Sequence, residues 1–160
     1  MKQVFQSLSS GKTEIIELPI PKCKSGHLLI ESLCSLVSPG TERMLVEFGN
    51  LNWIDKSKKY PEKTKEVLNK IKNEGLISTY EVVKAKLDEP IELGYCNVGK
   101  VIEIGDGVTG YKIGDRVVSN GPHAEIVSVP KNLTAIIPET ISDEEASFTV
   151  LGAIALQGIR

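Results

Sequence analysis

The sequence predicts a mainly β protein interrupted by a helical insertion, which is an α+β fold. Two changes of hydrophobic periodicity along the 160 residues predict it. Apolar residues alternate in strand-like runs up to about residue 37, recur at helical spacing from 39 to 88, and return to short β-branched runs from Ile91. We therefore expect one β domain whose strands lie on both sides of the insertion.

The first β segment contains three strand-like runs, KQVFQSL, TEIIEL and HLLIESLCSLV. They are separated by SSGK and PIPKCKSG, whose serine, glycine and proline residues favour turns.

The insertion predicts three helices. The first begins at Pro39, a residue suited to the first helical position, and ends at Gly49. The second starts near Pro61, ends before Gly75 and is expected to bury Val67, Leu68 and Ile71.

The third helix has a candidate capping box, in which Ser78 and Glu81 satisfy each other's backbone groups. Four apolar residues share one face of this helix, and a packing stripe explains them better than a groove for a partner. They are Leu76, Tyr80, Val83 and Leu87.

Four more strand-like runs follow, GKVIEIG, DRVVSNG, AEIVSVP and LTAIIP, as in a small barrel or sandwich. Ser142 and Glu145 then form a second candidate capping box, and an apolar helix continues from it to Arg160. So little chain remains to cover this helix that we expect the sequence to stop before a following domain.

Composition excludes several classes of function. With 41% apolar residues, 25% charged residues and a net charge of −2, the chain has neither a nucleic-acid footprint nor a membrane span. No signal peptide is recognisable, which favours a cytoplasmic protein. The cysteines, Cys23, Cys34 and Cys96, are too few and too widely spaced for a disulfide framework or a four-cysteine zinc lobe.

Five phrases together resemble the N-terminal catalytic domain of medium-chain dehydrogenases, the zinc-type alcohol dehydrogenase superfamily. They are GHLLIESLCSLVSPGTE, GYCNVGKVIEIGDGVTGYKIGDRVV, GPHAEIVSVP, LTAIIPETISDEEASF and LGAIALQGIR. The resemblance implies a GroES-like, partly open β-barrel over residues 1–140, with the helical insertion at about 50–89. It also implies that 141–160 begin a connecting helix towards a Rossmann domain of the same chain.

The resemblance fails at the metal ligands. Zinc-dependent members have a cysteine before the Gly-Thr phrase and a Gly-His-Glu phrase at the later strand. This sequence has Pro39 before Gly40 and Thr41, and it has Tyr95 and Cys96 after Gly94. A single thiolate cannot hold a catalytic zinc, which normally has three protein ligands. We therefore expect a zinc-free branch of the family.

The phrases SLVSPGTER and LGYCNVG resemble more narrowly the two-part oxidoreductases, in which a medium-chain dehydrogenase region is followed by a second oxidoreductase domain. Such proteins act on sugar derivatives or other carbonyl and alcohol substrates. The lysine-rich insertion NWIDKSKKYPEKTKEVLNKIKNEG stands where the family has its structural zinc lobe, and a solvated face explains its lysines better than a phosphate site.

The implied cofactor is NAD or NADP. The one glycine-rich phrase, GDGVTG, has the wrong spacing for a dinucleotide fingerprint and lies between strands, so we interpret it as a turn. We expect the nucleotide to be held mainly by residues beyond Arg160.

Thr41, Tyr95 and His123 are the candidate catalytic residues. Thr41 matches a hydroxyl that helps relay a proton in the family, and Tyr95 places a phenol where a metal ligand otherwise lies. Each has a structural alternative: Thr41 as a group that satisfies a helix N-terminus, Tyr95 as a space-filling ring, and His123 as a packing or surface residue. Glu125 resembles a structural carboxylate.

Two functions remain open. The chain is either the catalytic half of a zinc-independent NAD(P)-dependent oxidoreductase for a small molecule, or a GroES-like binding or assembly module without chemistry. The sequence leaves the oligomeric state open, a homo-oligomer included.

Overall fold

The computed structural model describes residues 1–159, with the backbone but not the side chain of Trp53. Within these residues, three strands are followed by four α-helices, then by five more strands and two α-helices. The strands are β1 (Lys2–Gln6), β2 (Thr13–Glu17), β3 (His27–Ser35), β4 (Ile91–Glu92), β5 (Asn97–Ile104), β6 (Arg116–Ser119), β7 (Ile126–Pro130) and β8 (Thr134–Ile136). The α-helices are α1 (Thr41–Asn50), α2 (Trp53–Lys59), α3 (Pro61–Glu74), α4 (Leu76–Asp88), α5 (Asp143–Ser147) and α6 (Thr149–Ile159). The predicted α+β class is confirmed.

The strands form two sheets, one of three strands in the order β2-β1-β4 and one of five strands in the order β7-β3-β5-β6-β8. Every pair in the larger sheet is antiparallel. Within the described residues that sheet is open, with β7 and β8 at its edges, as expected for a partly open barrel.

The chain divides into two compact units. The first unit contains residues 1–4, 15–38 and 92–160, and therefore the whole larger sheet. The second contains residues 5–14 and 39–91, which include α1 to α4.

Apolar side chains pack on both faces of the larger sheet. On one face Leu28, Ile30, Val101, Val117, Val127 and Val129 form the main core. On the other face Val98 and Val118 pack with Ile137 and with Ala146 of α5. Because side chains alternate along a strand, consecutive residues such as Val117 and Val118 supply the two clusters.

Gly99 allows β3 and β5 to lie close together. It pairs with Ser32, beside a register shift in β3, and a side chain there would collide with the carbonyl oxygen of Glu31.

The second capping box is confirmed. The Ser142 hydroxyl accepts a hydrogen bond from the Glu145 backbone N–H (3.2 Å), and the Glu145 carboxylate accepts one from the Ser142 N–H (3.0 Å). The Arg116 guanidinium also donates to the Asp143 carboxylate, at 2.6 Å from Nη2. The Arg116–Asp143 contact attaches α5 to the start of β6. The expected continuous helix is instead broken at Phe148 into α5 and α6.

The helical unit departs from prediction at its helix starts. Gly40 is the N-cap of α1, so the helix begins two residues after Pro39, and it ends at Asn50, one residue beyond Gly49. The sequence pattern does not predict α2 as a separate element. Its Asn52 side chain accepts a hydrogen bond from the Asp55 N–H at 2.9 Å, which supplies its cap.

The predicted Ser78–Glu81 capping box is wrong. α4 begins at Leu76, directly after Gly75, whose φ of +90° ends α3. Of the predicted stripe, Val83 and Leu87 are half-buried, whereas Leu76 and Tyr80 are exposed. On α3, Val67 and Ile71 are half-buried but Leu68 is 53% exposed.

Within the described residues, no helix combines the length and the apolar character that crossing a bilayer requires.

Candidate functional site

The segment from Leu93 to Cys96 connects β4 to β5 and carries Tyr95. Its backbone is held at both ends: the Leu93 N–H donates to the Val4 carbonyl (3.1 Å), and the Cys96 carbonyl accepts from the Leu36 N–H (2.9 Å). Leu93 and Cys96 are buried, while Tyr95 is half-buried. The phenol is therefore carried by an anchored segment and not by a free loop.

Gly94 brings His123 against this segment. Its φ of +93° lies in the left-handed region that glycine adopts without strain. A Cβ atom at this position would lie 2.6 Å from His123 Cγ and 2.7 Å from the His123 backbone nitrogen, which is closer than side-chain carbons approach. Glycine is therefore required both for the backbone conformation and for the space that the imidazole occupies.

His123 is held by backbone and side-chain hydrogen bonds. Its N–H donates to the Leu93 carbonyl (2.7 Å), and its own carbonyl accepts from the Val4 N–H (2.9 Å). The ring nitrogen Nδ1 lies 2.7 Å from Ser35 Oγ, and the tautomer decides which of the two atoms donates. The half-buried imidazole thus has a defined orientation next to Gly94.

A polar row crosses the sheet beside this histidine. Ser35, Asn97 and Ser119 occupy paired positions on β3, β5 and β6, so their side chains lie on one face. Asn97 is fully buried, and its Nδ2 donates to Ser32 Oγ (2.7 Å). Its Oδ1 accepts no hydrogen bond from the described residues. At this end of the sheet, the side chains of Ser35, Asn97 and Ser119 therefore form a polar row.

The Tyr95 hydroxyl forms no hydrogen bond with the described part of the chain. A phenol that is anchored through its backbone but unpaired at its hydroxyl can donate to a bound oxygen atom. The packing alternative accounts for the half-buried ring but gives the hydroxyl no role.

Thr41 is the first residue of α1 and is exposed, in the second unit. No side chain caps this helix, so the proposed capping role of its hydroxyl is not observed. The structure brings residues 93–96, which carry Tyr95, together with His123 in the first unit, and the convergence of Thr41 with them stays a prediction.

Glu125 has a structural role, as expected from the sequence. Its carboxylate accepts a hydrogen bond from the Lys2 N–H (2.7 Å), and its own N–H donates to the Lys2 carbonyl (3.0 Å). This reciprocal pair ties the first strand to the segment that carries His123.

The donor set does not fit zinc. Pro39 offers no ligand atom, and nowhere in residues 1–159 do three His, Cys, Asp or Glu side chains gather as a metal site. The isolated pair Cys23 and His27 makes backbone contacts: the Cys23 thiol lies 3.5 Å from the His27 carbonyl oxygen, and His27 Nδ1 lies 3.0 Å from that of Ser25. Burial, followed by the nearby Glu103 charge, raises the pKa of Cys23, which disfavours its thiolate.

The GDGVTG phrase forms the turn between β5 and β6, as predicted. Gly107 and Gly110 have positive φ angles, +79° and +87°, and the turn leads into a strand and not into a helix. A pyrophosphate needs backbone N–H groups at a helix N-terminus, so this turn does not fit a dinucleotide.

Sequence reasoning missed two residues of this site. In the sequence Gly94 is only a neighbour of Tyr95, although a glycine between two strands is a signal for a left-handed or closely packed position. Ser35 gives no signal, because its contact with His123 spans 88 positions.

The chain is similar to known proteins over part of its length. Residues 63–139 match the alcohol dehydrogenase GroES-like domain family. The chain is similar to (R,R)-butanediol dehydrogenase of Bacillus subtilis strain 168, at 29% identity over 98 residues that cover 44% of this chain and 28% of that protein. It is also similar to a mitochondrial NAD(P)H oxidoreductase of Dictyostelium discoideum, at 31% identity over 86 residues that cover 50% of this chain and 24% of that protein.

Among solved structures, the quinone oxidoreductase from Coxiella burnetii has the same fold, with a TM-score of 0.60 at 22% identity, covering 92% of this chain and 40% of that chain. The open antiparallel sheet and this structural similarity give the fold as that of a partial GroES-like domain. Over residues 63–139 the chain is similar to the alcohol dehydrogenase GroES-like domain family. It spans well under half the length of each of these relatives.

Proposed function

We propose that this chain supplies the substrate-binding side of an NAD(P)-dependent oxidoreductase that acts on an alcohol or carbonyl group without zinc. The proposal depends on two observations taken together. Residues 63–139 match the family model, and Tyr95 and Cys96 stand where the resemblance implies the metal ligands of zinc-dependent members. The names of the relatives support an oxidoreductase and leave the substrate open, with a sugar-derived carbonyl as the candidate from the narrower resemblance.

In this proposal the substrate-binding residues stabilise the negative charge that develops on the reacting oxygen atom of the substrate. The nicotinamide, when bound, supplies or accepts the hydride. The alkoxide or enolate oxygen that develops must be protonated or held by hydrogen-bond donors. Tyr95 suits this task because its hydroxyl has no partner among the described residues, whereas its backbone is anchored.

His123 and Ser35 have a supporting role in the proposal. The imidazole can donate or accept a hydrogen bond through its ring nitrogens, and the Ser35 hydroxyl orients it through Nδ1. We propose Thr41 as the third contributor, through its exposed hydroxyl. Ser35 is a positioning residue here, because it acts through His123.

No glycine-rich turn of the described residues leads into a helix as a dinucleotide site requires, so we propose that NAD or NADP is held mainly by residues beyond Arg160, in a Rossmann domain of the same chain. In this arrangement residues 1–140 form the catalytic domain, with the insertion at about 50–89, and 141–160 begin the connecting helix. The strongly apolar α6 supports this, since Ile154, Leu156 and Ile159 are exposed. We propose a cytoplasmic location.

The test is an assay of the protein expressed from the complete gene. Oxidation of NADH and NADPH is followed with quinones, ketones and sugar carbonyls as acceptors, and the metal content of the same sample is measured. We expect turnover of at least one carbonyl class by protein without stoichiometric zinc. Turnover that requires one zinc per chain would overturn the zinc-independent chemistry. Absence of both turnover and nicotinamide binding would favour the binding module.

A further inference from the structure

A cleft of about 550 Å³ opens within the helical unit, among α2, α3 and α4 and next to the last part of α1. Its walls are mostly apolar and include Phe48, Val67, Val83 and Leu87. Helices that pack only against each other leave few voids larger than a water molecule. This cleft instead has the size and apolar lining that are usual for small-molecule sites.

The charged residues of the cleft are nearly all cationic. Lys56, Lys63, Lys70 and Lys86 line it together with a single carboxylate, Glu66. Two of the lysines are neutralised by α3 carboxylates: Lys63 lies 3.1 Å from Glu66, and Lys70 lies 3.1 Å from Glu74.

The other two lysines lack a carboxylate partner in the described residues. Lys56 Nζ donates to the Leu8 carbonyl (2.7 Å) and lies 5.1 Å from the centre of the Phe48 ring. Burial lowers the pKa of Lys56, which reflects an ammonium group partly removed from water. Lys86 forms no ion pair or hydrogen bond with the described residues. The cleft therefore combines an apolar wall with uncompensated positive charge.

We propose that this cleft binds a small amphipathic anion, an aliphatic chain with one carboxylate, whose chain lies against Val67, Val83 and Leu87 and whose carboxylate pairs with Lys86. An uncharged apolar ligand would make no use of the positive charge of Lys56 and Lys86, and a cationic ligand would be repelled. A purely ionic ligand would not use the apolar wall. This site is independent of the proposed oxidoreductase chemistry, since none of its residues takes part in that proposal.

The test is calorimetric titration of the purified chain with decanoate, compared with decan-1-ol and decyltrimethylammonium, the two ions below their micelle concentrations and the alcohol below its solubility limit. We expect saturable binding of decanoate with one site per chain, and binding of the other two at least about tenfold weaker. Lys86→Gln should weaken decanoate binding by about three- to tenfold and leave decan-1-ol binding unchanged.

Lys72→Gln is the matched control, because Lys72 lies on α3 outside the cleft and its removal changes the net charge equally. We expect less than a twofold effect. Val83→Trp should fill the cleft and abolish binding, with circular dichroism used to verify that the helices remain. Equal affinity for decanoate and decan-1-ol, equal losses in Lys86→Gln and Lys72→Gln, or no saturable binding would each overturn the proposal.

Discussion

Ser35 and His123 are joined through their side chains, with Ser35 Oγ 2.7 Å from His123 Nδ1. The contact connects the end of β3 to the segment before β7, on the same edge of the unit as Gly94 and Tyr95. It orients an imidazole next to Gly94, and it can be tested without knowledge of the substrate.

Ser35→Ala removes the partner of Nδ1. We expect the two ring nitrogens of His123 to change their chemical shifts in long-range ¹H–¹⁵N spectra, because tautomer populations follow the hydrogen bonds of the ring. His27, the other histidine of the chain, contacts the Ser25 carbonyl and serves as an internal control. Unchanged His123 resonances would show that Ser35 does not orient the ring in solution.

Gly94→Ala should destabilise the protein by about 2–4 kcal/mol, since it adds both a strained φ and a collision with His123. Gly107→Ala is the matched control. Gly107 also has a positive φ, +79°, but a Cβ atom added there would meet no other atom within 4 Å. We therefore expect Gly107→Ala to cost only the backbone strain of a positive φ, about 1 kcal/mol. Urea unfolding of both variants gives the comparison. Equal losses would mean that the segment moves away from His123 at little cost.

The capping box at α5 should make stability depend on pH. The hydrogen bond from the Ser142 N–H lowers the pKa of Glu145 in the folded protein. A lowered folded pKa means that this contribution is present above the unfolded pKa and is lost as the pH falls through the folded one. Glu145→Gln should therefore reduce the loss of stability on acidification below about pH 5, measured by urea unfolding. Glu144→Gln, which lacks this bond, is the control, and an identical effect of both variants would contradict the assignment.

The 160-residue chain alone should not bind a nicotinamide cofactor, because its glycine-rich turn leads into a strand and offers no helix N-terminus to a pyrophosphate. Calorimetric titration with NADH and NADPH is expected to be flat. A dissociation constant in the micromolar range would locate the cofactor site within residues 1–160.

The strands were predictable because short β-branched runs bounded by glycine, aspartate, asparagine and proline are a strong local signal, as in the run that forms β5. The first residues of the helices were harder to predict than the strands. The capping pattern predicts α5 correctly at Ser142 but fails at Ser78, where Gly75 already separates the two helices and α4 begins three residues earlier than the Ser78 pattern requires. The lysine-rich α2 shows little apolar periodicity, so only the cap at Asn52 could have indicated it.

The candidate site was predictable only in part. Family resemblance pointed to Tyr95 and His123, because their positions in the chain follow characteristic phrases of the family. The Ser35 contact and the space at Gly94 depend on how distant strands pair, and no local pattern contains that information.

The central claim is that hydroxyl groups of this chain, and not a metal, stabilise charge on the reacting oxygen. A donor aimed at developing charge is often worth about 3 kcal/mol, so Tyr95→Phe should lower the turnover number roughly a hundredfold, since it keeps the ring and removes only the hydroxyl. Thr41→Val should lower it by a smaller factor, and neither change should weaken nicotinamide binding more than about twofold.

The most direct measurement is the turnover number of wild type and Tyr95→Phe, in protein expressed from the complete gene and with the carbonyl substrate found in the acceptor assay. We predict a roughly hundredfold loss with the affinity for the nicotinamide retained. Comparable turnover in the two proteins would assign Tyr95 to packing and contradict the account.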